Sequence, residues 1–145
     1  MPIIEKGDLL FFKRYHVLPR LVVNNANVYT TDISYNIRLK EKYEKCSFAF
    51  CFYNSLTLTM CEYYGRFYGG GVCELIPTEF KSLPIPYTIV DLKSIKKLDY
   101  MIKNNFSVEE ITNFVDNLVL KEILSDEEIA NLHIIRSRLI SRRIK

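Results

Sequence analysis

The chain has 145 residues, enough for one domain with a core of its own. Its hydrophobic fraction of 48% and charged fraction of 26% are ordinary for a globular chain, and a net charge of +3 is too mild to establish nucleic-acid binding. No apolar run approaches the roughly 18–20 residues of a membrane span, and Met1 to Asp8 lack the charged start and apolar stretch of a secretion signal, so a cytoplasmic location without membrane contact is expected.

In chain order, Leu9 to Phe12 and Tyr15 to Val23 are apolar, β-branched or aromatic. They read as two strands separated by the basic step Lys13-Arg14, with Pro19 at a strand start or edge. Asn24 to Asn27 reads as a turn. Val28 to Thr31 and Ile33 to Leu39 then alternate with period two, placing Ile33, Tyr35 and Ile37 on one face. Lys40 to Lys45 is a solvated connection. Ser47 to Tyr64 is apolar around most of its circumference and reads as one buried helix.

Phe67 to Leu75 is a glycine-rich reversal into a strand. Gly69, Gly70 and Gly71 are three of only five glycines in the chain. Such a run suits backbone that turns with positive φ or approaches another backbone closely. Pro77 to Ser82 makes a single helical turn with Glu79 in its first turn, and Pro84 and Pro86 impose an extended exit. Asp91 to Asn104 has helical spacing. Ser107-Val108-Glu109-Glu110 and Ser125-Asp126-Glu127-Glu128 have the form of capping boxes opening two more helices.

The fold expected is therefore α+β: an N-terminal antiparallel sheet with a buried helix, followed by a helical C-terminal part. Residues 1–87 form the first portion. Residues 88–145 form a helical extension packed on the same domain.

Cys46, Cys51, Cys61 and Cys73 contain no CxxC pair and lie in apolar surroundings, so reduced, buried thiols are expected and a zinc site is not. His16 and His133 are expected to be structural. Glu62, Glu74 and Glu79 flank the turn as solvated or ion-paired groups. The glycine run follows a helix and precedes a strand, opposite to the order of a cofactor loop, and it lacks the Lys-Ser/Thr of a phosphate loop.

One composite pattern stands out: Asn54-Ser55-Leu56, then Glu62, Gly65-Arg66, Tyr68-Gly69-Gly70-Gly71-Val72, Glu74-Leu75, Pro77, Glu79, Lys81 and Leu83-Pro84-Ile85-Pro86. Over residues 19–87 it resembles a segment of amino-group DNA methyltransferases, the adenine-N6 enzymes of restriction–modification systems. In them a similar block lies C-terminal to the catalytic domain, in or beside the target-recognition region. The resemblance implies a non-catalytic portion that binds double-stranded DNA for a methyltransferase catalytic domain or subunit. That domain, and not this chain, would hold S-adenosylmethionine; the Pro-Pro-aromatic element that grips a flipped base is absent here.

The candidate DNA-contacting residues are Tyr64, Arg66, Tyr68, Gly69, Gly70, Gly71, Lys81 and Tyr87, with Lys13 and Arg14 as a second basic strip. The competing reading buries Tyr64, Phe67 and Tyr68 and pairs Arg66 with Glu62 or with loop carbonyls. The basic tail from Arg136 to Lys145 could meet phosphate or complement a helix C-terminus. The rival function is a protein-interaction or dimerisation module acting through the C-terminal helices.

Overall fold

The computed structural model describes residues 7–25 and 33–144. The expected strand Val28 to Thr31, the second half of the Asn24–Asn27 turn and Lys145 lie outside the described residues.

The apolar run Leu9–Phe12 is β1, the central strand of a three-stranded antiparallel sheet. It pairs with β3 (Leu21–Val23) on one side and β4 (Ser34–Ile37) on the other. Leu9 and Phe11 are fully buried, as a continuous apolar run in a covered central strand requires. Tyr35 and Ile37 pack on the core, but Ile33 stands before β4 and is 62% exposed, so the alternating face begins two residues later than the pattern suggested.

At Lys13 the chain leaves this sheet. Its N–H donates to the Ile33 carbonyl and its carbonyl accepts from Leu75 N–H. The next two residues, Arg14–Tyr15, form β2 of a second antiparallel sheet, in which β2 is followed by β6 (Val72–Glu74) and then β5 (Arg66–Tyr68). Strands β5 and β6 are the two arms of the glycine hairpin. One continuous strand therefore serves both sheets.

The expected single helix from Ser47 to Tyr64 is two helices, α1 (Lys45–Phe52) and α2 (Ser55–Tyr64). Asn54 breaks it. Its Oδ1 accepts from Thr57 N–H at 2.9 Å, capping α2, and its Nδ2 donates to the Cys51 carbonyl at 2.6 Å. Asp116 accepts from Ser55 N–H at 2.8 Å and from the Ser55 hydroxyl. The break is buried, yet its polar groups have partners, which is what makes it tolerable. Glu44 caps α1, so the supposed solvated connection ends one residue earlier than Lys45.

The short helix α3 (Pro77–Lys81) leads through Leu83 to Pro86 into α4 (Leu92–Lys103), α5 (Val108–Val119) and α6 (Asp126–Arg143). Asp91, Ser107 and Ser125 cap the last three, and Ser125 with Glu128 forms the full reciprocal box. The core sits between the first sheet and α1, α2 and α5. Phe11 meets Phe52, Phe80 and Tyr35 there, while Phe50 meets Phe114 edge-on. All four cysteines are free thiols, three buried and Cys46 partly so, and burial pushes each thiol up from its ordinary value. Among the described residues no helix is long and apolar enough to cross a membrane.

The end of α6 reverses the sequence expectation for the basic tail. Arg143 is not at the surface: its side chain is 0% exposed and that of its partner Glu62 is 1% exposed. Its Nε and Nη2 bond to the two Glu62 oxygens at 2.8 and 2.7 Å, its Nη1 donates to the Gly71 carbonyl, and its guanidinium lies 5.4 Å from the centre of the Tyr15 ring. Arg136 is also turned inward and donates to the Val17 carbonyl at 3.0 Å. Losing one member of a buried pair strands the other charge, so Arg143→Met or Glu62→Gln alone is expected to cost about 3–5 kcal/mol. Replacing both with apolar residues is expected to cost less than the sum of the two. Urea unfolding followed by circular dichroism measures both quantities, and strict additivity would show that the pair is not a coupled unit.

Candidate functional site

The second sheet places the candidate residues by simple alternation. In register, Tyr15 of β2, Cys73 of β6 and Phe67 of β5 lie across from one another, as do Arg14, Glu74 and Arg66. The first row faces the core: Tyr15 is 6% exposed and Cys73 0%, and burial pushes the Tyr15 hydroxyl far above its ordinary value. The second row faces outward, together with Tyr68. Because β5 is the edge strand, Arg66, Phe67 and Tyr68 are all exposed, Phe67 by 46% and Tyr68 by 49%. The reading that buried Phe67 and Tyr68 in the core does not hold.

Two guanidinium–carboxylate pairs lie on this face. Arg14 Nε donates to Glu74 Oε2 at 2.6 Å, and the Arg14 guanidinium carbon sits 5.8 Å from the centre of the Tyr68 ring. Arg66 Nε lies 3.8 Å from Glu79 Oε1 on α3. The Arg14 and Arg66 side chains are 63% and 59% exposed. Arg66 therefore does not brace against Glu62, four residues before it. Glu62 faces inward from α2 and both its oxygens are taken by Arg143, whereas Arg66 leaves the opposite side of the chain and meets Glu79. Each of the three glutamates flanking the turn thus faces an arginine.

At the hairpin tip, Gly70 and Gly71 have φ of 83° and 78°, the left-handed region that glycine enters most easily. Their surroundings differ. A Cβ on Gly69 or Gly70 would meet nothing within 4 Å, so the tip is open. A Cβ on Gly71 would lie 3.3 Å from the Ile144 side chain and 3.4 Å from the Arg143 carbonyl oxygen. Gly71 is therefore the point where the end of α6 docks on the hairpin.

The remaining candidates divide. Lys81 is exposed at the end of α3, two residues beyond the partner of Arg66. Tyr64 is half-buried, its ring edge-on to Tyr63. Lys13 is half-buried at the bend between the sheets. Tyr87 belongs elsewhere: its hydroxyl accepts from Glu44 N–H at 2.9 Å and its ring packs on Tyr43 and Phe48 at the start of α1.

One cluster went unnoticed in the sequence. Ser55, Asp116 and His133 come together, with His133 Nε2 3.2 Å from Ser55 Oγ and 3.8 Å from Asp116 Oδ2. It does not have the order of a nucleophilic triad. The serine is 2% exposed and donates to the aspartate, and the same imidazole nitrogen faces both partners. Burial raises the Asp116 carboxyl, while the bonds from Ser55 act the other way. The cluster ties α2, α5 and α6 together. The only hint in the sequence was Asn54-Ser55, a pair of helix-starting residues inside an apolar run. His16 is exposed just past β2.

A family model described as the C-terminal domain of the Type II methyltransferase M.Eco57I matches residues 1–120. This extends on both sides of the 19–87 stretch that carried the sequence resemblance. Neither curated proteins nor solved structures gave a match.

The differing roles of the glycines can be separated by substitution. Gly69→Ala is expected to change stability by less than about 0.5 kcal/mol. Gly71→Ala combines a left-handed backbone with a crowded Cβ and is expected to cost about 1–2 kcal/mol. Gly70→Ala shares the left-handed backbone without the crowding and is expected to cost less than Gly71→Ala, and equal melting temperatures for these two would show that α6 does not hold the turn.

Proposed function

The chain belongs to the family of the C-terminal domain of the Type II methyltransferase M.Eco57I, and from that premise we propose that it is a non-catalytic target-recognition portion of an adenine-specific DNA methyltransferase. In this reading it holds double-stranded DNA against the outer face of the second sheet and positions it for a separate catalytic domain or subunit. That catalytic part supplies S-adenosylmethionine binding and methyl transfer.

The observation that carries the reading is the β5–β6 hairpin. It forms two of the three strands of the second sheet and ends in an open glycine tip, and its edge strand presents Arg66, Phe67 and Tyr68 to solvent, with Arg14 on the strand beyond β6. A two-stranded ribbon is one of the shapes the major groove admits. Arginine and tyrosine on such a ribbon can reach phosphates and base edges, while the buried row beneath keeps the ribbon rigid. The paired carboxylates Glu74 and Glu79 and the mild net charge imply modest affinity with clear salt dependence.

A second reading, association through the C-terminal helices, draws support from Ile134 and Ile135, which are 51% and 47% exposed on α6. Sedimentation of the purified chain across a range of concentrations tests it; a monomer throughout would rule out self-association.

The DNA reading is tested by fluorescence anisotropy with a labelled duplex over a salt series. Affinity should fall as salt rises, and Arg66→Ala should weaken binding and reduce the salt slope by about one unit while leaving the melting temperature unchanged. Unchanged affinity in a folded Arg66→Ala variant removes this residue from the interface, and a drop in melting temperature alone makes it a brace on Glu79. Calorimetric titration with S-adenosylmethionine is expected to show no binding to this chain. Micromolar affinity would overturn the division of labour.

A further inference from the structure

We propose that Arg14 reads a guanine in the major groove and that Glu74 and Tyr68 are its positioning residues. The inference rests on the DNA-binding reading above and assigns its base contact.

The argument turns on what Glu74 does to Arg14. A guanidinium carries five N–H donors in a planar fork. The Nε–H is taken by Glu74 at 2.6 Å, and the guanidinium carbon lies over the Tyr68 ring, 5.8 Å from its centre. These two contacts restrain the side chain from different directions. The side chain as a whole is 63% exposed, and the Nη end lies beyond the Nε that Glu74 holds. The result is a planar pair of donors held at one orientation on the outer face of a sheet.

That arrangement suits a base better than a phosphate. A phosphate contact draws on net charge, through release of counterions from the DNA. The Glu74 carboxylate at 2.6 Å offsets part of the charge of Arg14. Orientation, by contrast, is what a bidentate contact to guanine O6 and N7 requires, since the fork must meet two acceptors in one plane. The pair gives up charge and gains geometry. Arg66, at the looser distance of 3.8 Å from Glu79, is restrained less and keeps more of its charge for the backbone. Lys81, exposed nearby in sequence and without a fork, is of the same kind.

The test uses the whole chain and a random-sequence duplex library. Duplexes bound by the wild-type chain are enriched and sequenced, and the best is remade with 7-deazaguanine in place of each guanine in turn, which removes only the N7 acceptor. At one position the wild-type chain should lose about tenfold or more in affinity. Arg14→Lys keeps the charge and loses the fork, so it should lose that discrimination while its salt slope stays the same. Glu74→Gln should also blunt the discrimination, yet raise affinity for unrelated duplex, because a negative charge has gone. A merely structural role would not move those two readouts in opposite directions. Thermal melting confirms that both variants are folded. Retained discrimination in Arg14→Lys overturns the assignment. So does wild-type binding without base preference, which leaves the DNA-binding reading standing. Absence of any DNA binding by the wild-type chain overturns both.

Discussion

The bond between Glu62 and Arg143 is the constraint on which the exposed hairpin depends. Two charges taken out of water are costly unless each donor and acceptor finds a partner. Here the carboxylate is met by a bidentate fork, and a third donor of the arginine goes to the Gly71 carbonyl. Such a pair tolerates little displacement, because any gap leaves a charge desolvated and unmatched. It therefore fixes three things at once: the outer turn of α2, the last turn of α6 and the third glycine of the hairpin. The β5–β6 ribbon has only three residues on each arm and exposes one whole edge. A ribbon that short has little stability alone, and its rigidity comes from this anchor and from Cys73 and Tyr15 beneath it.

Three glutamate–arginine pairs surround the hairpin, and they form a series from inside to outside. Glu62 with Arg143 is sealed. In the pair of Glu74 with Arg14 the glutamate side chain is 12% and the arginine side chain 63% exposed. Glu79 with Arg66 is longer and has values of 19% and 59%. The first serves architecture, since no donor of Arg143 is open to a ligand. In the other two the carboxylate is shielded and the arginine is not. That asymmetry distinguishes a guanidinium presented to the outside from an ordinary surface ion pair, in which both groups are wet and the energy is small.

Much of the fold was legible in the sequence, because local chemistry decides it. Ser107 and Ser125 announce their helices by capping, Asp91 does the same for α4, and Pro77 marks the start of α3. The glycine run announces its hairpin. What was not legible depends on distance along the chain. Arg14 finds Glu74 across 60 positions and Arg143 finds Glu62 across 81. No periodicity carries that information, so Arg143 read as part of a basic tail for phosphate or a helix C-terminus, and the competing reading of Arg66 matched it to Glu62. The break at Asn54 was obscured for a different reason. The apolar residues on either side continue the helical spacing, and only the buried hydrogen bonds of Asn54 and Asp116 make an interruption stable there. Tyr87, one of the DNA-contact candidates, packs against the start of α1, a placement that also depends on distance along the chain.

The bend at Lys13 has an evolutionary consequence. Because β1 and β2 are one strand shared by two sheets, the core residues Leu9 and Phe11 and the outward residue Arg14 keep a fixed phase. Inserting or deleting one residue between Phe12 and Tyr15 would turn either the hydrophobic core or the outer row to the wrong side. Lineages diverging from this chain can therefore change the chemistry of that outer row only by exchanging side chains, at Arg14, Arg66 and Tyr68. Within the hairpin, added length meets least resistance at the tip, where Gly69 and Gly70 face open space.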